Sequence, residues 1–268
     1  MRLALNGSQS LWYDLHGNGE AVILLHSALG DHRQWDPQME ALTRHFRVVR
    51  FDARGYGQSA DPEEAIDPTD DLITLMNELG LKKAHLVGSS MGGTTALHAA
   101  LVHPDRVDRL VLLGSGILGF EPENLASDVP ETIEQAYVSA LESRDIEALI
   151  AVAEQIWLQG IHGRPESVPE KARALFETMN QERLRLHPPD GPEYRPGNDV
   201  DQLNRLAAPL LIVIGEWDTA YCRQAAATLA ERVSHQIVRL PETAHFPNLT
   251  QAETVNRLLL EFLSGQGV

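Results

Sequence analysis

The chain has 268 residues, enough for one α/β domain with an insertion and a substantial buried core. Its formal net charge is −16, from 22 Lys and Arg against 38 Asp and Glu, which opposes binding to phosphate backbones and leaves no polybasic footprint for anionic membranes. A single cysteine, Cys222, excludes an intrachain disulfide and fits a reducing compartment. The N-terminal MRLALNGSQSLWYDLHG lacks the charged-then-apolar order of a signal peptide, and AVILLHSAL is too short to span a membrane, so a soluble cytoplasmic protein is expected.

In chain order, RLALN and LWYDLHG read as an antiparallel opening pair. AVILLHS, residues 21–27, is a nearly continuous apolar run, as expected of a strand buried on both faces. A helix is expected around Asp31–His45, then a strand at RVVRFDA. PTDDLITLMNELG reads as a helix with Thr69 as N-cap and Gly80 as its stop. KAHLVGSS is a strand, MGGTTALHAALVHP a helix ended by Pro104, and DRLVLLGS a strand. Strands alternating with helices imply a mostly parallel sheet covered on both faces.

The rhythm breaks near residue 119. From there to about 205 the pattern is helical and polar, and Pro and Gly cluster in HPPDGPEYRPG. The sheet rhythm returns with PLLIVIGEWD, a helix through CRQAAATLAERV, the run HQIVRLPE and a last helix from about Asn248 to Leu263. The expected organisation is therefore a core of residues 1–118 and 206–268 with a helical cap at 119–205. An insertion at the carboxyl ends of strands lies over the usual ligand crevice of an open α/β sheet.

The stretch Gly88-Ser89-Ser90-Met91-Gly92 fits G-x-S-x-G at Ser90 only, because Ser89 is flanked at the same spacing by Val87 and Met91. This pattern makes a sharp strand-to-helix turn that exposes a nucleophilic serine, and a strand precedes it here while a helix follows. A serine needs a base, and the triad on such a scaffold runs in the order Ser, acid, His. Asp218 lies just past PLLIVIG and His245 just past HQIVRLPE, both at carboxyl ends of strands. Glu216 competes for the acid role but has less reach past its strand end. Backbone donors for a developing oxyanion are expected from Met91 N–H, after the nucleophile, and Ala28 N–H, in the loop after the third strand.

Together, HSALGDHRQWDPQ, FDARGYGQS, VGSSMGG, PLLIVIGEWD and AHFPNLTQAETVNRLLLEFL resemble the α/β-hydrolase fold family, most closely its esterase, lactonase and peroxidase-like branch, which includes 3-oxoadipate enol-lactonases. The resemblance implies an eight-stranded sheet with helices on both faces. It treats Asp52, Arg54, Gly55, Gly57 and Ser59 as a structural turn. Some relatives carry their acid after the strand DRLVLLGS, where this chain has Ser115. The family commonly has glycine where this chain has Ser27. Relatives with an Asp nucleophile, the haloalkane dehalogenases and epoxide hydrolases, are excluded by Ser90.

For the cap, Trp157, Tyr137, Phe120, Phe176 and Met179 are candidates for the pocket wall, though helix-on-helix packing accounts better for most of them. Trp157, Tyr137 and, from the core, Leu29 are the expected substrate-binding residues. His162 and Arg164 read as an exposed loop. No metal-ligand spacing, dinucleotide fingerprint or phosphate loop is present, so no cofactor is implied. The expected activity is hydrolysis of a small carboxylic ester or lactone through an acyl-enzyme on Ser90. The alternatives are hydrolysis of a carbon–carbon bond in a diketone-like substrate, and a ligand sensor with slow turnover. One chain carries a complete triad, so catalysis needs no partner subunit. The partner expected is a small-molecule substrate, with neither nucleic acid nor membrane.

Overall fold

The computed structural model describes residues 1–5, 9–122, 125–187, 191–195 and 197–266. Its eight strands are β1 Arg2–Ala4, β2 Ser10–His16, β3 Ala21–Leu25, β4 Arg47–Phe51, β5 Ala84–Ser89, β6 Val107–Leu113, β7 Leu210–Gly215 and β8 His235–Leu240. They form one sheet in the order β1-β2-β4-β3-β5-β6-β7-β8. β1 and β2 pair antiparallel, as do β2 and β4, and all later pairs are parallel. This is the mostly parallel, eight-stranded α/β sheet expected from the sequence.

Every residue of β3, β5 and β7 is buried, because helices cover both faces. Side chains alternate between two cores. Ile23, Leu25, Leu86, Leu110, Leu112 and Ile212 face one, and Val22, Leu24, Val87, Val111, Leu113 and Val213 face the other. The first is closed by α2 Pro68–Glu78, α3 Met91–Val102 and α7 Ala220–Arg232, and the second by α1 Asp36–Thr43 and α9 Ala252–Leu263.

After β3 the chain turns to one side for β4, then crosses back to lay β5 on the other side of β3. The strand order thus reverses between β3 and β5. Crevices outside the carboxyl ends of strands at such a reversal are where α/β sheets bind ligands. The loops that leave β3 and β5 there carry Ala28 and Ser90.

Three local expectations change. The helix expected at Asp31–His45 is a 3-10 turn, His32–Trp35, followed by α1. Asp67, not Thr69, caps α2: Pro68 at the first helical position has no N–H, and the Asp67 carboxylate accepts from Thr69 N–H at 2.8 Å. The last helix is two, α8 Pro247–Thr250 and α9, broken at Gln251. Gly80 ends α2 at a φ of 66°, as its sequence position implied.

Between β6 and β7 lie α4 Glu131–Ser143, α5 Ile146–Ala153, a π-helical turn at Glu154–Leu158 and α6 Glu170–Leu186. Part of HPPDGPEYRPG, residues 188–190 and 196, lies outside the described residues. Phe176 and Met179 are fully buried with Ile150, Leu158, Phe246 and Leu249. The insertion therefore shares its apolar core with residues just past β8. Two hydrogen bonds add to this docking: Asn180 Nδ2 donates to Leu29 O at 2.9 Å, and His245 N–H donates to Trp157 O at 2.9 Å.

The turn after β4 is internally satisfied. The fully buried Asp52 carboxylate accepts from His32 N–H and Gln58 N–H, at 2.8 and 2.9 Å. Gly57, at φ 52°, presses on that carboxylate so closely that a Cβ would lie 2.3 Å from an oxygen. Arg54 makes two hydrogen bonds, at 2.8 and 2.9 Å, to the buried Asp71. Burial pushes the Asp71 carboxyl above its usual range despite the guanidinium, so the charge there depends on Arg54. Arg54→Met should cost about 3 kcal/mol in urea unfolding by stranding Asp71, and Arg54→Met/Asp71→Leu should recover most of it. An Arg54→Met protein of unchanged stability would show that the pair contributes nothing.

Candidate active site

The two adjacent serines have different environments. Ser89 ends β5 and is fully buried. Ser90 follows with φ 51° and ψ −115°, a strained conformation for a residue with a side chain. Its N–H donates to Leu113 O at 2.8 Å, and α3 begins at the next residue. The flanking glycines permit this turn. A Cβ on Gly88 would lie 2.4 Å from Gly92 O, and one on Gly92 would lie 2.4 Å from Leu25 O. Ser90 is partly exposed and lines a cavity of about 500 Å³ with Met91, Thr94, Trp157, Cys222 and His245. That volume is in the range of small-molecule sites.

Asp218 follows β7 and is 1% exposed, whereas Glu216 points to solvent. His245 Nδ1 lies 2.9 and 3.0 Å from the two Asp218 oxygens. An ionised carboxylate only accepts, so Nδ1 carries the proton and Nε2 is the nitrogen left for chemistry. Burial alone would push the imidazole down; the Asp218 carboxylate outweighs it and holds His245 well above its usual range. Asp218 is itself anchored, accepting from Thr219 N–H at 2.7 Å. Gly114, at φ 55°, lies beneath the pair, where a Cβ would sit 2.9 Å from both Asp218 Oδ2 and His245 Nδ1. After β6, where some relatives carry their acid, Ser115 Oγ donates to Gly116 O at 2.7 Å.

In the loop after β3, Ser27 N–H donates to Gln34 Oε1 at 2.9 Å, and Leu29 N–H to Ser27 Oγ at 3.3 Å. Gly30 N–H donates to Ser27 O at 3.2 Å. The unusual Ser27 hydroxyl is thus spent within its own loop. Among the described residues, Ala28 N–H lies between these bonded groups and donates to no protein atom. His26 braces the loop: its Nε2 accepts from Ala53 N–H at 2.9 Å, and its Nδ1 donates to Ser27 O at 2.8 Å. Burial pushes this imidazole down, consistent with the neutral form that both bonds require.

Of the expected substrate-binding residues, Trp157 lines the Ser90 cavity. Leu29 and Tyr137 do not; they line a separate void of about 20 Å³ between α4, α5 and α6. Tyr137 packs edge-on against Trp157, with ring centroids 5.4 Å apart. Phe120 also lines the Ser90 cavity. His162 and Arg164 are exposed.

Cys222 was not anticipated here. It sits in the first turn of α7, is 7% exposed, and its sulfur lies within 4.8 Å of ligand atoms of both Asp218 and His245. Its sequence signal was only its place four residues after Asp218, one helical turn along. A metal could be imagined at these three groups, but Nδ1 and the carboxylate are committed to each other. A second such cluster, Asp31, His32 and Asp52, is also spent: Arg33 occupies Asp31, and His32 occupies Asp52 at 2.8 Å. Among the described residues, no helix is long and apolar enough to cross a membrane.

The geometry makes a spectroscopic prediction. In a histidine NMR titration, His245 should titrate above the ordinary imidazole range, because the carboxylate favours the imidazolium. In Asp218→Asn the largest group that opposes burial is gone and Cys222 is left to oppose it, so the value should fall. An unmoved titration would show that the carboxylate does not govern His245.

Several known proteins resemble the chain along nearly its whole length. A Caulobacter sp. (strain K31) protein that carries the provisional name carbamate hydrolase RutD is 30% identical over 96% of both chains. The human serine hydrolase BPHL is 31% identical over 98% of this chain and 85% of its own. A solved bromoperoxidase from Bacillus anthracis superposes with a TM-score of 0.80 at 26% identity, over 97% of both chains. The family model for the alpha/beta hydrolase fold matches residues 20–252. With its sheet order and this match, the chain belongs to the α/β-hydrolase fold family.

Proposed function

We propose that the protein is a serine hydrolase that cleaves a small carboxylic ester or lactone through an acyl-enzyme on Ser90. The observation that carries this reading is the buried Asp218–His245 pair opening on the same cavity as the strained Ser90. His245 Nε2 takes the proton of Ser90 Oγ as the oxygen attacks the carbonyl carbon. The resulting oxyanion is held by the N–H groups of Ala28 and Met91. His245 then gives its proton to the leaving alcohol, and water activated by the same nitrogen releases the acid. Asp218 fixes the tautomer and stabilises the imidazolium. Residues 119–205 act as the cap, with Trp157 as part of the pocket wall. A carbamate is a second candidate bond, favoured by the name of the Caulobacter relative, because the same attack serves a carbonyl flanked by nitrogen.

The test is a panel of p-nitrophenyl esters, small lactones and methyl carbamates, with Ser90→Ala and His245→Ala run in parallel. Each substitution should lower kcat by roughly four to six orders of magnitude while leaving the fold intact. Because the base must be neutral, kcat/KM should rise with pH through the titration of His245, and the Asp218 charge places that limb above the ordinary imidazole range. Ser90→Ala protein with wild-type turnover of every substrate would overturn the assignment.

A further inference from the structure

Three fully buried amide side chains meet between the loop after β3 and the segment that follows His245. Gln34 lies in the 3-10 turn His32–Trp35, Gln38 on α1 and Asn248 on α8. Burying an amide is costly unless its donors and acceptors are met.

Their orientations follow from fixed ends. Ser27 N–H can only donate, so it takes Gln34 Oε1, at 2.9 Å. That leaves Gln34 Nε2 to donate to Asn248 Oδ1, at 3.5 Å. Asn248 Nδ2 in turn donates to Gln34 O, which can only accept, at 2.9 Å, and faces Gln38 Oε1 at 3.5 Å. Gln38 Nε2 donates to Asn248 O at 3.0 Å. Every side-chain N and O of the cluster thus has a partner, and each amide has one orientation. Asn248 holds Gln34 by both its main chain and its side chain.

The two ends of this chain of bonds are the two halves of the site. At one end Gln34 grips the turn Ser27–Gly30 at both edges, through Ser27 N–H and through close packing on Gly30, where a Cβ would lie 2.8 Å from Gln34 Oε1. Ala28 lies between those two points. At the other end Asn248 is three residues past His245, and the link is stiff, because Phe246 is fully buried and Pro247 fixes φ at the start of α8. Buried amides contribute little net stability over an apolar packing of the same shape, but they set direction as well as distance. None of the three lines the Ser90 cavity, so their effect on the reaction passes through the loops they hold.

We propose that Gln34 and Asn248 are positioning residues, a relay that holds the turn bearing Ala28 N–H in a fixed place relative to the loop bearing His245. The inference rests on the proposed hydrolase reading for what Ala28 and His245 do, and it adds two residues that serve the reaction without touching the substrate.

The first readout needs no turnover. In NMR spectra, Asn248→Leu should move the Ala28 amide resonance, although Asn248 reaches that turn only through Gln34. Gln34→Met, which keeps the side-chain length and releases Ser27 N–H, is the reciprocal variant and should move the His245 ring resonances; it carries the test if Asn248→Leu does not fold. Gln38→Leu removes an amide of the same cluster that does not reach the turn, and it should leave the Ala28 resonance in place. The second readout is kinetic, on whichever ester the wild type cleaves best. Oxyanion donors act in both formation and breakdown of the acyl-enzyme, so Asn248→Leu and Gln34→Met should each lower kcat roughly ten- to a hundredfold with KM within about twofold, whereas Gln38→Leu should change neither by more than about twofold. Unmoved resonances at the far end of the relay would overturn it, as would an equal loss of kcat in Gln38→Leu. Moved resonances with wild-type kcat would overturn the positioning role. If the wild type cleaves no ester, the hydrolase reading fails, and the resonances alone decide the relay.

Discussion

Three backbone segments meet at Gly92 with no side chain between them: the end of β3, the end of β5 and the first turn of α3. A methyl group on Gly92 would overlap the carbonyls of Leu25 and His26, and one on Gly88 would overlap the backbone of Gly92 and Gly93. This close approach holds Ser90 in a conformation that costs roughly 1–3 kcal/mol for a residue with a side chain. The cost is borne by the surrounding sheet, where Ser90 N–H is tied to β6 through Leu113 O. The same contact brings the loop after β3 against the start of α3. Ala28 and Met91, the proposed oxyanion donors, lie in these two segments, more than sixty residues apart in the chain.

The second half of the site depends on a different contact. The loops after β7 and β8 lie on one another: Trp217 N–H donates to Thr243 O at 2.9 Å, and a Cβ on Gly215 would strike Ala244 O at 2.2 Å. The insertion reaches the same place. The wide turn at Glu154–Leu158 directs Trp157 O onto His245 N–H, while Gly160 packs against Trp217 and Ala244. π-turns inside helices often mark functional sites, and here one fixes both the backbone of His245 and a wall of its cavity. The insertion and the loop that carries His245 therefore meet through backbone contacts at the cavity wall.

The strands were legible because burial on both faces writes itself as continuous apolar runs, as in AVILL and LLIVIG. Ser90 and Asp218 were legible because they follow such runs closely, whereas His245 lies five residues past the half-buried β8 and was picked out by the Ser, acid, His order. Side chains placed by helix docking were not. Leu29 and Tyr137 meet each other and not Ser90, and nothing local in the sequence encodes how α4 and α6 lie on the core. Cys222 was invisible for a related reason: it lies in the first turn of α7, where its direction depends on the Thr219 cap.

The acidic character of the chain and the proposed chemistry act over different distances. A hydrogen-bond donor meets an oxyanion at about 3 Å. The field of a net charge of −16 is spread over the surface and screened within about 8 Å at physiological ionic strength. In the proposed mechanism, the transient negative charge on the substrate oxygen is therefore governed by Ala28 and Met91, and the surface does not cancel it. A carboxylate product has no such donors once it leaves the pocket, and it meets the surface field on the way out. The same field discourages anionic substrates on the way in. In the proposed reaction a neutral ester enters and an acid departs, which suits the chain's charge in both directions.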